Sequence, residues 1–152
     1  TEVRKRFIMI KKIAIGSDHA GFELKSFLIN ALKRRGMDII DKGCFSAERA
    51  DYPDYGHAVA MAVLTGECEM GVLMCGSGNG INMSANKHPG IRAALCWNTE
   101  IAALARQHND ANVLVLPARY ISSDEAVNCV DIFIKEAFEG GRHAARVHKI
   151  DL

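Results

Sequence analysis

Short apolar runs alternate with longer stretches of helical spacing along the whole chain. Residues 12–16 read as a first buried strand, with Ile13, Ala14 and Ile15 in succession, and 21–35 carry apolar residues at helical spacing, stopped by Gly36. A second short strand is expected over 37–41, followed by an irregular loop over 42–54 that holds Gly43 and Pro53. Helical spacing returns over 54–65, and 70–74 is again continuously apolar. A short helix over 80–87 stops before Pro89, and strands over 91–96 and 112–116 flank a helix over 99–107. Residues 122–138 read as a helix capped by Ser122 or Ser123. Continuous apolar strands separated by helices predict a parallel sheet covered on both faces, the doubly wound α/β class. In that class ligands bind beyond the carboxyl ends of the strands.

The remaining global features narrow the picture by exclusion. At 152 residues the chain suits one domain that needs no disulfide or metal staple. A formal charge of +1 gives no reason to expect nucleic acid or an anionic membrane as partner. No apolar run approaches the about 18 residues that span a bilayer. Cys44, Cys68, Cys75, Cys96 and Cys129 include no C-x-x-C pair, and an odd set of scattered thiols suits a reducing, cytoplasmic setting. Residues 1–8 are basic and polar at the start, with no signal-peptide core after them, and Met9 stands just before the first strand. They are expected to be an N-terminal extension to a domain over 9–152. The tail 142–149 concentrates Arg142, His143, Arg146, His148 and Lys149 in an otherwise neutral chain.

If strands end near Gly16, Met74 and Leu116, the residues just beyond them should share one rim. Those residues are Ser17-Asp18-His19, Cys75-Gly76-Ser77-Gly78-Asn79-Gly80 and Ala118-Arg119. The glycine loop leads into a helix, so its N–H groups can bind an anion or a developing oxyanion. It is no dinucleotide fingerprint, because position 81 is Ile; that Ile also excludes a cysteine phosphatase loop, and no Walker lysine follows. What remains is an oxyanion cradle headed by a thiol. At a helix N-terminus Cys75 is either a general base, its thiolate favoured by the dipole and nearby cations, or a buried inert thiol, as is expected for Cys68, Cys96 and Cys129. Asp18 either caps the first helix or handles a sugar hydroxyl or proton. His108 either caps a helix C-terminus or takes part in catalysis. Arg142 and Arg146 would share a face if their segment is helical, either as a solvated basic tail or as a phosphate clamp. His57 and His88 are expected to be surface residues.

Several segments in register resemble one family. They are Ile15-Gly16-Ser17-Asp18-His19-Ala20-Gly21, Asp51-Tyr52-Pro53, Cys75-Gly76-Ser77-Gly78-Asn79-Gly80, Ser84-Ala85-Asn86-Lys87, Gly90-Ile91-Arg92-Ala93, Arg106-Gln107-His108-Asn109-Asp110 and Glu139-Gly140-Gly141-Arg142-His143. Together they resemble the type B ribose-5-phosphate isomerases, from about residue 10 to 146. The resemblance implies a single Rossmann-like three-layer α/β/α domain with a five-stranded parallel sheet. It also implies a homodimer, or a dimer of dimers, with active sites at the subunit interface. The reaction implied is interconversion of ribose 5-phosphate and ribulose 5-phosphate through a cis-enediolate, with no metal or organic cofactor. Carried over by residue, Cys75 would be the base between C2 and C1. Ser77 and the amides of Gly76, Gly78, Asn79 and Gly80 would hold the enediolate oxygen. His108 would open the furanose ring, with Asp18 accepting the proton exchanged in that step. Tyr52 and Asn109 would contact sugar hydroxyls, and His19, Arg119, Arg142 and Arg146 would grip the phosphate, some of them across the dimer. The family has a version with Cys at the loop start and one with Glu just after the loop; Cys75 and Ile81 assign this chain to the former. Two other readings share the fold: an isomerase of a six-carbon sugar phosphate, such as allose 6-phosphate or galactose 6-phosphate, and a sensor that binds sugar phosphate without turnover.

Overall fold

The computed structural model describes residues 12–151. The extension expected over 1–8, and Met9, lie outside the described residues. The elements run β1 (Lys12–Ser17), a 3-10 turn (His19–Gly21), α1 (Phe22–Arg34), β2 (Asp38–Asp41), α2 (Tyr52–Leu64), β3 (Met70–Cys75), α3 (Asn79–Asn86), β4 (Ala93–Leu95), α4 (Thr99–Asn109), β5 (Val113–Pro117), α5 (Ser123–Lys135) and α6 (Arg142–Ile150). The five strands pair in parallel in the order β2-β1-β3-β5-β4. This is the three-layer α/β architecture expected from the sequence.

Period-two alternation sorts the strand side chains onto two faces. Ile13, Ile15, Val72, Met74, Leu114 and Leu116 meet α1, α4 and α5 in one core. Ala14, Leu73, Cys75, Val113 and Val115 meet α2 and α3 in the other. Both faces are apolar, so the strands read as unbroken hydrophobic runs. From β1 the chain first steps outward to β2, then crosses to the other side of β1 for β3. The switch point between β1 and β3 is where such sheets open a crevice at their carboxyl ends.

Most boundaries fall within one or two residues of the sequence expectation, and three of the differences have a local cause or consequence. Helix α2 begins at Tyr52 rather than at 54, with Pro53 in its first turn, where the fixed φ suits a helix and the missing N–H has no partner to lose. Helix α5 stops at Lys135 rather than at 138, because Glu136 turns extended and spends its carbonyl and carboxylate on α4. Edge strand β4 covers only Ala93–Leu95, short of the expected 91–96. The cap of α5 is Ser122, whose hydroxyl accepts from the Glu125 amide at 3.1 Å.

Lys25 is a buried lysine on α1, 1% exposed, with its Nζ 2.7 Å from both carboxylate oxygens of Asp41 at the end of β2. The Phe22 and Phe45 rings stand 5.5 and 5.7 Å from the same ammonium. Asp41 also accepts from the Gly43 amide at 2.8 Å, while Ser17 and Gly43–Cys44 exchange backbone hydrogen bonds. The pair therefore anchors the loop that lies against the end of β1. Lys25→Met keeps most of the apolar stem and removes the charge. We expect unfolding free energy to fall by about 2 kcal/mol, read by urea denaturation, because Asp41 loses its charged donor. Unchanged stability would show that water replaces the lysine at no cost.

Candidate active site

Sheet register brings the first set of site residues together. Ser17 lies beside Met74, and Cys75 beside Pro117, so Asp18, the glycine loop and Arg119 emerge from three adjacent strand ends. The ladder continues past the sheet, with Ala118 N donating to Cys75 O and Arg119 N to Gly76 O at 2.9 and 3.0 Å. Convergence on one rim is thus observed.

Each glycine of the loop admits a close neighbour. A Cβ on Gly76 would stand 3.1 Å from Arg119 Nη1, and one on Gly80 would stand 2.5 Å from the Tyr52 ring. Gly78 has φ +83° and caps α3; a Cβ there would collide with Leu95 and sit 3.3 Å from Leu116 O. A side chain at Gly78 would therefore be both strained and crowded. The loop wraps the start of α3, where Ser77 Oγ accepts from the Asn79 amide at 3.3 Å. Cys75 heads it, 5% exposed, with its side chain on the α2/α3 face.

Asp18 is buried and its Oδ1 accepts from the Ala20 and Gly21 amides at 3.0 and 3.2 Å. The capping role is therefore real, and it occupies one carboxylate oxygen. His19 Nδ1 lies 3.1 Å from Ala50 N and 3.2 Å from Ala50 O. The amide can only donate, so Nδ1 accepts and a neutral ring carries its proton on Nε2. This contact ties His19 to the loop that leads into Tyr52.

The other cysteines contrast with Cys75 in place. Burial pushes the Cys96 thiol up to about 12 and the Cys129 thiol up to about 11, and burial with Glu67 nearby raises Cys68. All three are buried in the core, as expected. All five cysteines are free.

The second set of site residues lies elsewhere. Helix α4 runs back from the carboxyl rim, so His108 and Asn109 in its last turn reach the amino edge of the sheet. Arg92, which precedes β4, donates from Nε to the carbonyls of Asn109 and Asp110 at 3.2 and 2.9 Å, and fixes that corner. Arg106 Nη1 bonds Asp110 Oδ1 at 3.0 Å. Arg142 and Arg146 are exposed and share a face of α6, which is helical as the clamp requires. Among the described residues Arg119, Arg142 and Arg146 have no ion-pair partner, which leaves their guanidinium groups for an anion. Within one chain, then, Asp18, His19, Tyr52, Cys75, Ser77 and Arg119 occupy one end of the sheet. His108, Asn109, Arg142 and Arg146 occupy the other.

Concavity follows the same division. A cavity of about 540 Å³ lies at the amino edge, between Lys87, Arg92, Asn109 and Ile150. Near the glycine loop lies a depression of about 210 Å³ between Tyr52, His57, Gly80 and Met83. Cys75 does not line the larger of these two hollows.

Two features escaped the sequence. His57 and His88 are exposed as expected, but Nδ1 of one lies 2.7 Å from Nε2 of the other. His143 stacks on His108 with Glu139 beside both; the only signal was the four-residue spacing of Glu139 and His143. Among the described residues no helix is long and apolar enough to cross a membrane.

Comparison with known proteins gives consistent matches. The profile of the Ribose/Galactose Isomerase family matches residues 13–150. Ribose-5-phosphate isomerase B of Escherichia coli (strain K12) is 48% identical over 141 residues, covering 93% of this chain and 95% of that protein. Among solved structures, the ribose 5-phosphate isomerase of Thermotoga maritima aligns with a TM-score of 0.92 at 49% identity, over 93% of this chain and 97% of that one. Ribose-5-phosphate isomerase B of Mycoplasma genitalium, solved with bound ribulose-5-phosphate, aligns with a TM-score of 0.88 at 42% identity, over 93% and 95%.

Proposed function

Because the chain belongs to the ribose/galactose isomerase family, we propose that it interconverts ribose 5-phosphate and ribulose 5-phosphate, with Cys75 as the base. The observation that carries this reading is the thiol at the head of a backbone cradle, set between Asp18 and Arg119. Isomerisation needs a base, an anion site and a phosphate handle that holds the reacting carbons in place. Each has a candidate here, and none requires a metal or organic cofactor.

The furanose ring opens first. His108 donates a proton to the ring oxygen as the C1–O4 bond breaks, and Asp18 takes the proton of the C1 hydroxyl. Cys75 thiolate then removes the C2 proton, and charge develops on O1. Ser77 turns from the Asn79 amide, and its hydroxyl and the loop amides hold that oxygen. The thiol returns its proton to C1 while the O2 proton passes to O1, which gives the ketose. His19, through Nε2–H, and Arg119, Arg142 and Arg146 hold the phosphate, the guanidinium fork suiting two of its oxygens at once. Tyr52 and Asn109 contact sugar hydroxyls.

A single chain keeps Cys75 and His108 at opposite ends of its sheet, so this chemistry requires a second copy. In a two-fold homodimer the amino-edge set of one protomer meets the carboxyl-rim set of its partner, which forms two composite sites. Five free thiols support a reducing, cytoplasmic setting for the assembly.

Proton NMR of ribose 5-phosphate with the protein in D2O and excess EDTA tests the reading. The expected result is ribulose 5-phosphate, with deuterium uptake confined to C1 and C2. Turnover of allose 6-phosphate in its place would move the assignment to a six-carbon substrate. Binding without turnover of either sugar would make the protein a sensor.

A further inference from the structure

We propose that Glu139 and His143 are positioning residues for His108, holding its imidazole in the orientation and protonation state that ring opening needs. The inference rests on the reading of His108 as the ring-opening acid.

The segment after α5 is built onto the last turn of α4. Arg106 Nε donates to Glu136 O at 3.4 Å, Gln107 Nε2 to Glu136 Oε2 at 3.0 Å, and Glu139 N to Gln107 O at 3.0 Å. Gly140 and Gly141 follow with φ of +68° and +55°, a left-handed turn open to glycine at little cost. That turn starts α6 directly beside His108, with His143 N donating to Gly140 O. The two imidazoles stack at 4.3 Å between centroids, 14° from parallel. One oxygen of Glu139 lies 3.8 Å from His108 Nε2 and 3.7 Å from His143 Nε2. The arrangement thus joins two rings to one carboxylate oxygen.

Two stacked imidazolium rings would repel, and one carboxylate compensates one positive charge. His143 has the less exposed side chain, 12% against 38% for His108. Burial, then His108 and Arg142, with a smaller effect from Arg146, hold His143 below the ordinary histidine range against the pull of Glu139. Ring opening needs a proton on His108, and Glu139 is the carboxylate that stands beside it. The flat face of His143 limits rotation of the His108 ring, and Glu139 supports the charge.

Ring opening separates experimentally from the later proton transfer. Ribulose 5-phosphate cannot close to a furanose, because its 5-hydroxyl carries the phosphate. Exchange of its C1 protons in D2O therefore needs the base and the cradle, and no ring-opening acid. His143→Ala removes the flat ring that packs on His108; Glu139→Gln removes the charge. In both variants we expect turnover of ribose 5-phosphate to fall about 10- to 100-fold, the scale of misplaced acid–base catalysis, with C1 exchange on ribulose 5-phosphate changed less than about twofold. Retained exchange also shows that the variants fold and bind. Equal loss of both readouts would assign the pair a general structural role, and unchanged turnover would remove the role altogether. A wild-type protein that turns over neither sugar would overturn the underlying reading, whereas normal wild-type turnover with unaffected variants would overturn only this inference.

Discussion

Cys75→Ala is expected to lower kcat for ribose 5-phosphate by about 10³- to 10⁴-fold, with substrate affinity within about threefold of wild type. The two effects divide because the thiol is not among the groups assigned to binding. On the proposed reading phosphate would be held by guanidinium groups and His19, and the oxyanion by backbone amides; none of these depends on the sulfur. The fold should tolerate the change, since losing one sulfur from the α2/α3 core costs about 1 kcal/mol. Cys75→Ser should be nearly as impaired, because a hydroxyl of similar shape is too weak an acid to supply the anion. Steady-state turnover with NMR or a coupled assay measures the first effect, and calorimetric titration of ribulose 5-phosphate into the inactive variant measures the second. Wild-type rates in Cys75→Ala would place the base elsewhere on the rim and leave the thiol as core packing.

Mixing two inactive variants should restore activity. Cys75→Ala damages the carboxyl-rim half of the site, and His108→Ala damages the amino-edge half. In a homodimer of either variant, both composite sites lack one group. After subunit exchange, the mixed dimer carries one doubly damaged site and one intact site. With random exchange half of the dimers are mixed, so activity should return to about one quarter of wild type. Mild denaturation and refolding of an equimolar mixture would achieve the exchange. If His108 instead served the Cys75 of its own chain, the mixed dimer would hold no intact site and would stay as inactive as its parents. Recovery therefore depends on the separation of Cys75 and His108 across the sheet.

The fold is legible in the sequence because its strands are short, apolar on both faces and bounded by helices. The ends of β1, β3 and β5 could be read to within about one residue, and with them the shared rim of Asp18, Cys75 and Arg119. Boundaries set by tertiary bonds were not legible. Nothing near Phe138 signals that α5 stops at Lys135, since the cause is the attachment of Glu136 to Arg106 and Gln107. The His108–Glu139–His143 cluster is hidden for the same reason: its members meet only after α6 folds over α4. Asp18 shows a different limit. Its spacing fits both a cap and a catalytic carboxylate, and the structure confirms the cap without removing the second oxygen from use. Roles, as distinct from positions, came from the resemblance.

The oxyanion cradle is made largely of main chain, with glycine where Leu95 and Tyr52 press close. A peptide N–H is supplied by almost any residue and is not removed by substitution. The cradle itself is therefore insulated from sequence drift, except where a new Cβ would collide. On the proposed reading, recognition of the sugar phosphate would rest instead on helix-borne side chains such as Tyr52, Asn109 and Arg142, which one nucleotide change can replace. A family built this way can change its substrates, and even exchange its base, while the main-chain cradle persists, because cradle and selectivity are encoded in separable parts of the polypeptide.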